Sequence, residues 1–199
     1  MTTYLLIRHG ENDYIGNTLV GWMPGVHINE KGREQACRLA ERLARVGIDA
    51  ILSSPLERTR ETAEPIAARL GLEVEIREEI GELHLGEWTG RPLAELRQDP
   101  LWKLFNRYRG IGRIPGGETM LEVQSRMLDV VLELRGRYRD GTVALVTHAD
   151  PIRAILCYFM GIPLDMISRI EAGTASVSVA TLAEWGPRVL RMNDTGELP

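Results

Sequence analysis

Two short apolar segments of this chain each end in a histidine, and this repeated pattern constrains the fold more than any other feature. The first segment is residues 5–7, followed by Arg8 and His9, and the second is residues 143–147, followed by His148. Runs of this length are typical of strands buried on both faces of a parallel sheet. Because ligands of α/β sheets bind beyond the carboxyl ends of the strands, the two histidines are predicted to face one another across one crevice.

Strand and helix patterns alternate along most of the chain. The helices predicted from apolar periodicity and end signals are residues 30–46, residues 55–70 after a capping box at 54–57, a helix opened by a capping box at 119–122, and one that starts at Asp150-Pro151. The other predicted strands are residues 50–52, 74–77, 176–182 and 188–192. This alternation indicates an α/β fold, a three-layer sandwich with a mostly parallel central sheet and one or two antiparallel additions.

The length of the chain fits one domain. A chain of 199 residues can bury a substantial core, and the sequence shows no internal repeat, low-complexity tract or linker. Residues 81–117 contain many turn-forming residues and only short helical patterns. Long irregular stretches inside a compact domain are commonly functional, so we expect one domain over residues 1–199 with an insertion over the site at about 81–117.

Composition and charge argue against several classes of partner. The net charge of −4 provides no basic field for nucleic acid. No apolar stretch approaches the roughly 20 residues that a membrane-spanning helix needs. Residues 1–3 lead directly into a strand, without the pattern of a signal peptide. We therefore expect a cytoplasmic protein that binds neither nucleic acid nor membrane.

The cysteines and acidic residues do not form a metal-binding pattern. Cys37 and Cys157 each lie in a helix-like apolar pattern and are predicted to be buried free thiols. No cluster of histidine, cysteine and aspartate has the spacing of metal ligands. We expect no metal ion and no cofactor.

Three side chains are predicted to surround His9. Arg8 precedes it, Arg58 lies in the first turn of the helix after a third strand end, and His148 ends the other apolar strand. Helix N-termini attract anions, and the planar arginine fork donates two parallel hydrogen bonds to phosphate. The sequence therefore predicts a compact positive pocket for a tetrahedral oxyanion. Glu82, which lies among apolar neighbours, is the candidate proton donor.

Each of these residues also has a structural interpretation when it is considered alone. A histidine at a strand end is more often satisfied by a backbone carbonyl than used as a nucleophile, and most glutamates are solvated surface charges. His27 and His84 lie in loops, where packing or surface roles are the default. The arginines of the 81–117 stretch are expected on a solvated face, although one of them could reach a second acidic group on a substrate; they are Arg107, Arg109 and Arg113.

Five segments in a fixed order add a further argument. They are Arg8-His9-Gly10-Glu11, residues 53–62, residues 82–90, residues 115–119 and residues 146–148. Together they resemble the signature motifs of the histidine phosphatase superfamily, also called the phosphoglycerate mutase-like family. The matches span residue 5 to about residue 161, which is most of the chain. The resemblance implies the phosphoglycerate mutase-like fold and an enzyme of the histidine acid phosphatase type.

The resemblance also implies a reaction that agrees with the predicted pocket. His9 would attack the phosphorus of a small phosphorylated metabolite and carry a transient phosphohistidine. The phosphoryl oxygens would be held by Arg8, Arg58 and His148. Glu82 would protonate the departing alcohol and then activate the water that hydrolyses the phosphoenzyme. The expectation is a metal-independent phosphomonoester hydrolase.

Two alternatives to the hydrolase stay open. In a cofactor-dependent phosphoglycerate mutase of this family we expect a lysine near Leu93, an asparagine in place of Ile15, and Gly-Asn where this chain has Ala149-Asp150. Asp150 is instead expected to cap the next helix, because Pro151 follows it. The second alternative is an inactive phosphate-binding module. Binding alone needs neither a nucleophile nor an acid, so the presence of both candidate groups in this sequence argues against an inactive module.

Two further expectations concern binding. Asn12 is expected to donate a hydrogen bond to the phosphate, three residues after His9. An exposed edge strand or helix could support a homodimer. The sequence leaves the oligomeric state and the identity of the phosphate ester open.

Overall fold

A six-stranded sheet forms the centre of the protein in a computed structural model that describes residues 1–196. The strands are β1 (Thr2–Arg8), β2 (Ala50–Ser53), β3 (Val74–Ile76), β4 (Thr142–Thr147), β5 (Val177–Ala183) and β6 (Gly186–Asp194). Their order in the sheet is β3-β2-β4-β1-β5-β6. The first four strands in this order run parallel, and β5 and β6 are antiparallel additions at one edge. The predicted mostly parallel sheet is confirmed.

Helices cover both faces of the sheet and complete three layers. They are α1 (Glu30–Leu43), α2 (Glu57–Leu70), α3 (Leu93–Leu96), α4 (Pro100–Arg107), α5 (Met120–Arg137) and α6 (Ala149–Met160). On one face, Leu5 and Ile7 of β1 share an apolar cluster with Leu39 of α1 and Ile66 of α2. On the other face, Leu6 belongs to the cluster that α5 and α6 build. The predicted three-layer α/β sandwich is therefore confirmed. Among residues 1–196, no helix is long and apolar enough to cross a membrane.

The register of the parallel strands brings the two histidines together. Arg8 is the partner of Thr147 in the β1–β4 ladder, so His9 and His148 leave the sheet side by side. The amide of His9 donates a hydrogen bond to the Thr147 carbonyl at 3.0 Å, which continues the ladder by one residue. The amide of Ser54 bonds to β4 from its other side in the same way. Strand order and register thus place the chain segments that follow β1, β2 and β4 together at the carboxyl ends of these strands.

Helix α2 begins later than its sequence signal predicts. The capping box expected at residues 54–57, with Pro55 as the first helical residue, is wrong, because the helix begins at Glu57. Leu56 occupies the N-cap without a side-chain hydrogen bond to the helix. The hydroxyl of Ser54 contacts His148 instead, at 2.8 Å. The capping box that opens α5 at residues 119–122 is present as predicted.

Helix α6 and one cysteine also differ from expectation. Helix α6 begins at Ala149, so Asp150 and Pro151 lie within its first turn and the predicted capping by Asp150 is wrong. Cys157 is a buried free thiol as predicted, but Cys37 is exposed. The buried stripe of α1 runs through residues 36, 39, 40 and 43, and the helical period carries the next position, 37, off that stripe.

Residues 81–117 lie between β3 and α5 and contain little regular structure. The segment contains a 3₁₀ turn at Gly86–Trp88 and the short helices α3 and α4. Trp88 is buried and contacts the rings of Trp102 and Phe105 edge to face, with centroid distances of 5.3 and 5.5 Å. This aromatic cluster anchors the segment in the core, while Leu83 reaches the cleft described next.

Candidate active site

A cleft of about 180 Å³ opens at the carboxyl edge of the sheet, where β1 ends. Of the predicted residues, Arg8, His9, Asn12, Arg58 and Glu82 line it. His148 lies behind His9, fully buried, and the two imidazole centroids are 5.3 Å apart with an angle of 61° between the rings. The structure therefore brings together all the residues that the sequence assigned to one pocket, although they are spread over 140 positions of the chain.

His9 is held in one orientation by the backbone beside it. The ring is 4% exposed, and its Nδ1 lies 2.7 Å from the carbonyl of Gly10. Because a carbonyl only accepts, we assign the proton to Nδ1, which leaves the lone pair on Nε2. Burial, and then the positive charges of Arg58 and Arg8, lower the pKa of His9 well below its ordinary value of 6.5, so the ring is neutral at pH 7.

The glycine after His9 is required by close packing. An added Cβ at Gly10 would lie 2.7 Å from the carbonyl oxygen of Gly32 in the first turn of α1. The amide of Gly10 donates to the hydroxyl of Thr62 at 2.9 Å. These contacts fix the turn that carries His9 between α1 and α2. Gly10 is therefore a packing requirement rather than a flexible joint.

His148 is positioned by a serine that sequence analysis assigned to a helix cap. The Nε2 atom of His148 lies 2.8 Å from Ser54 Oγ, which also accepts the Leu56 amide at 3.3 Å. We assign the Ser54 hydroxyl hydrogen to this contact, so that the proton of the neutral ring lies on Nδ1. That atom faces Glu82, 4.0 Å from Oε2. Burial, followed by the charge of Arg58, lowers the pKa of His148 well below its ordinary value.

The two arginines are anchored at one nitrogen each and unpaired at others. Nη1 of Arg8 donates to the Ala172 carbonyl and Nη2 of Arg58 to the Gly21 carbonyl, both at 2.7 Å. Nε of Arg8, Nε and Nη1 of Arg58, and Nδ1 of His148 are buried without a partner among the described residues. A buried donor without an acceptor costs about 1–3 kcal/mol. Four such nitrogens around one cleft fit a ligand that is anionic and rich in acceptor oxygens.

Glu82 is held by its backbone and placed in a protected environment. Its carbonyl accepts hydrogen bonds from Trp22 Nε1 at 2.5 Å and Arg126 Nη2 at 3.0 Å, and its Oε1 accepts the Leu83 amide at 3.0 Å. Burial, followed by repulsion from Asp150, raises the pKa of Glu82 to about 7. The carboxyl group can therefore exist in both protonation states near neutral pH, which suits a proton donor and acceptor.

Asp150 lines the cleft, and two arginines hold it. Nη1 of Arg109 donates to its Oδ2 at 3.2 Å, and Arg153 lies 3.6 Å from Oδ1. Burial alone would raise the pKa of Asp150, but Arg109 and Arg153 outweigh it and the pKa lies below its ordinary value. Arg109 is thus paired within the protein instead of forming a solvated face. Pairing across 41 positions leaves no local sequence signal.

The remaining candidates differ in position. Asn12 is 3% exposed and its Oδ1 accepts the amide of Tyr14 at 3.0 Å, which orients the carboxamide in the cleft. His27 is exposed and forms an ion pair with Glu61 at 2.5 Å. His84 stacks on Trp22 with a centroid distance of 4.3 Å. Neither of these two histidines lines the cleft. Within residues 1–196, no three His, Cys, Asp or Glu side chains are grouped so that they could hold a metal ion.

Fold and site together define a class of protein: an α/β domain that presents a buried histidine, among unpaired cationic donors, at the carboxyl edge of a mostly parallel sheet. The model of the histidine phosphatase superfamily (branch 1) matches residues 4–195. The chain belongs to this superfamily and is an enzyme of the histidine phosphatase type, a phosphomonoesterase.

Relatives cover nearly the whole chain. Phosphoserine phosphatase 1 of Hydrogenobacter thermophilus is 32% identical over 207 residues, which span 100% of this chain and 95% of that protein. Probable phosphoglycerate mutase GpmB of Escherichia fergusonii is 30% identical and covers 89% of this chain and 84% of its own length. The structure of a mycobacterial glucosyl-3-phosphoglycerate phosphatase superposes with a TM-score of 0.87 at 27% identity and covers 96% of this chain and 98% of its own. The names include both phosphatases and a mutase.

Proposed function

We propose that this protein hydrolyses phosphomonoesters of small metabolites through a phosphohistidine on His9, without a metal or cofactor. The observation that carries the proposal is the state of His9. Its Nδ1 is engaged by the Gly10 carbonyl, and its Nε2 is left unprotonated among buried donors that lack partners. A neutral imidazole nitrogen, fixed beside unpaired positive charge, is suited to attack an electron-poor phosphorus.

In the first half of the reaction, His9 Nε2 forms a bond to phosphorus as the ester P–O bond breaks. The protonated Glu82 donates its proton to the departing alkoxide, which leaves as an alcohol. In the second half, the Glu82 carboxylate takes a proton from water while the water oxygen attacks phosphorus and the P–N bond breaks. Inorganic phosphate leaves, and both His9 and Glu82 return to their starting states.

Hydrogen-bond donors of the cleft could stabilise the negative charge that develops on the phosphoryl oxygens. The unpaired nitrogens of Arg8, Arg58 and His148 donate to no other group among the described residues and can donate to these oxygens. Asn12 is proposed as a further donor. The two guanidinium groups supply the positive charge that metal ions provide in other phosphoryl-transfer sites, which supports metal independence.

A cofactor-dependent phosphoglycerate mutase is the second candidate, because one relative carries that name. A mutase must hold a second anionic group on its substrate while His9 reacts, and this requires further cations. In the described cleft, Leu93 and Ile15 lie on the wall, and the additional charged residue is the anionic Asp150. These residues favour water as the phosphoryl acceptor. An inactive phosphate-binding module is disfavoured because binding alone needs neither His9 nor Glu82.

The test of hydrolysis is the turnover of a set of simple alkyl and sugar phosphates in the presence of EDTA. We expect full activity with the chelator, and a fall in kcat of about 10⁴-fold or more in His9→Ala, in line with the removal of a nucleophile elsewhere. His27→Ala is the matched control, because His27 is exposed and outside the cleft. Acid-labile phosphate bound to the wild-type protein after rapid quenching would identify the phosphohistidine.

Three outcomes separate the candidates. Loss of activity with EDTA contradicts metal independence. Isomerisation of phosphoglycerate that depends on 2,3-bisphosphoglycerate, and outpaces hydrolysis, supports the mutase. No turnover of any ester supports the binding module. Several expectations from the sequence stay predictions: a single domain over residues 1–199, an insertion over the site at 81–117, a cytoplasmic location and a homodimer. Residues 197–199 lie outside the described residues.

A further inference from the structure

The part of the cleft beyond the phosphate-binding nitrogens has apolar walls. Ile15, Leu19 and Val20 come from the loop after β1, and Leu85 and Leu93 come from the segment 81–117, which pairs with that loop through a bridge between Thr18 and Pro92. The uncharged polar residues Tyr14 and Thr18 lie beside them. This wall would surround the alcohol portion of a phosphate ester whose phosphorus faced His9.

The outer part of the cleft has no arginine or lysine among its described lining residues. Apart from the cationic Arg8 and Arg58 and the titratable His9 and Glu82, the acidic or basic residue that lines the described cleft is Asp150. Arg109 and Arg153 lie against its carboxylate and do not line the cleft, and Nε of Arg153 is buried without a partner among the described residues. A second anionic group on a substrate would therefore meet a carboxylate and apolar side chains.

Both of these features oppose a charged alcohol portion. Moving a carboxylate from water against leucine side chains costs desolvation energy. Asp150 offers such a group no positive partner, because Arg109 and Arg153 lie against its own carboxylate. An apolar alcohol portion loses nothing in the same position and removes apolar wall from water.

The size of the cleft sets a further limit. Its volume of about 180 Å³ lies below the roughly 300–1,000 Å³ that is common for small-molecule sites. Part of this volume must hold the phosphoryl group. The alcohol portion that remains enclosed is therefore small, and a larger one would extend past the exposed Tyr14 and Ile15 into solvent.

From this arrangement we infer that the cleft selects phosphomonoesters of small, uncharged and mainly apolar alcohols, and that Leu93, together with Asp150, which occupies Arg109, determines this specificity by leaving a second anion without a cationic partner. The inference rests on the proposed hydrolase function. It assigns a substrate class to the same site.

The first measurement is a comparison of n-butyl phosphate with 3-phosphoglycerate, two esters of unactivated alcohols of which the second carries a carboxylate and a hydroxyl group. We expect wild-type kcat/KM to favour butyl phosphate by at least tenfold, a ratio that a pocket of this kind readily provides. Equal values, or a preference for 3-phosphoglycerate, would overturn the inference while leaving hydrolysis intact. Turnover of neither ester, nor of any other phosphate, contradicts the proposed function itself.

The second measurement moves a cation into the wall. Leu93→Lys should shift the kcat/KM ratio toward 3-phosphoglycerate by at least tenfold, whereas Leu93→Met, which keeps an apolar side chain of similar volume, should leave the ratio within about threefold. A Leu93→Lys variant that lowers both activities equally contradicts the role of Leu93.

A binding assay makes the inference testable without turnover. Propylphosphonate and 3-phosphonopropanoate cannot be hydrolysed and differ by one carboxylate. We expect the wild-type protein to bind propylphosphonate at least tenfold more tightly in calorimetry. This readout covers the case in which Leu93→Lys fails to fold, and it separates a failure of specificity from a failure of catalysis. Tighter binding of 3-phosphonopropanoate would overturn the inference.

Discussion

Two hollows at opposite ends of the sheet differ in size and in the state of their charges. The larger, about 590 Å³, lies at the amino end of β1 and is lined by Met1, Arg139 and Trp185, among others. The cleft at the carboxyl end has about 180 Å³. In the larger hollow the amino group of Met1 forms an exposed ion pair with Asp140 at 2.6 Å. In the cleft, Arg58 is fully buried and two of its nitrogens have no partner.

The difference supports the smaller cleft as the proposed binding site, because buried donors without partners are uncommon in folded proteins. Elsewhere in the protein, arginines form ion pairs with carboxylates. Arg77, for example, forms ion pairs with Glu75, Glu79 and Glu133. With 28 acidic residues against 24 basic ones, carboxylates are not scarce. The unpaired cations of the cleft therefore support the proposed binding of an anionic ligand.

The largest difference between the two hollows is expected from a change at the proposed proton donor of the cleft. Glu82→Gln keeps the shape of the side chain but cannot transfer a proton, so kcat for an alkyl phosphate should fall by about 10²–10⁴-fold. Glu184→Gln, a matched change in the larger hollow, should leave kcat unchanged. Steady-state kinetics with n-butyl phosphate measures both. A fall of less than tenfold for Glu82→Gln would mean that another group supplies the proton.

The same variant should change the pH dependence. The acid must be protonated to act, and the pKa of Glu82 is raised to about 7 by burial and by Asp150, so wild-type kcat/KM should decline above about pH 7. The pKa of His9 is lowered well below 6.5, so the nucleophile stays neutral and the acid limb lies well below that value. Glu82→Gln should lose the limb near pH 7 and keep the acid limb.

A smaller effect, with opposite signs on activity and stability, is expected at Arg58. Arg58→Met removes a buried charge with two unpaired nitrogens, so activity should fall by about 10²–10³-fold. The free energy of unfolding should rise by about 1 kcal/mol, because an uncompensated buried charge is replaced by an apolar chain. Arg139→Met in the larger hollow should change neither quantity. Urea denaturation and kinetics on the same samples test the pair, and a less stable Arg58→Met would show that the bond to Gly21 outweighs the buried charge.

The sequence predicted the floor of the cleft because its residues are tied to strand ends. Apolar runs predicted β1 and β4, and the residue after each parallel strand lies at the carboxyl end of the sheet. The proximity of His9 and His148 was therefore predicted correctly. Arg58 followed from its position in the first turn after β2. The mostly parallel sheet with antiparallel additions followed from the same alternation of patterns, whereas the strand order was not predicted.

What the sequence missed depends on contacts between distant segments. Ser54 has the pattern of an N-cap, but its hydroxyl serves His148 because strand order brings that ring beside it. Asp150 also has the pattern of a cap, yet α6 begins one residue earlier and Arg109 takes the carboxylate. Local helix-capping patterns do not take account of partner residues that only the folded structure brings into contact. The exposure of Cys37 is a smaller error of a different, local origin, because one position on a helix decides which face a side chain occupies.

The smallest predicted effect tests how charges beside the cleft tune the acid. The groups that act on Glu82 are Arg8 and Arg58, which lower its pKa, and Asp150, which raises it. Asp150→Asn removes the repulsion and frees Arg109 from its partner, so the pKa of Glu82 should fall and the basic limb of kcat/KM should move to lower pH. A charge at this range typically shifts a pKa by about one unit.

Removing the arginine should have the opposite result. Arg109→Met leaves the carboxylate of Asp150 less compensated, since Arg153 alone then faces it, and the basic limb should move to higher pH. Asp140→Asn, at the exposed ion pair of the larger hollow, is the control and should leave the limb in place. The substrate is n-butyl phosphate, so that a substrate carboxylate does not enter the comparison. Opposite shifts from Asp150→Asn and Arg109→Met cannot arise from a general loss of structure, which would move both profiles alike. Shifts of the same sign would show that the pair acts by packing rather than by charge.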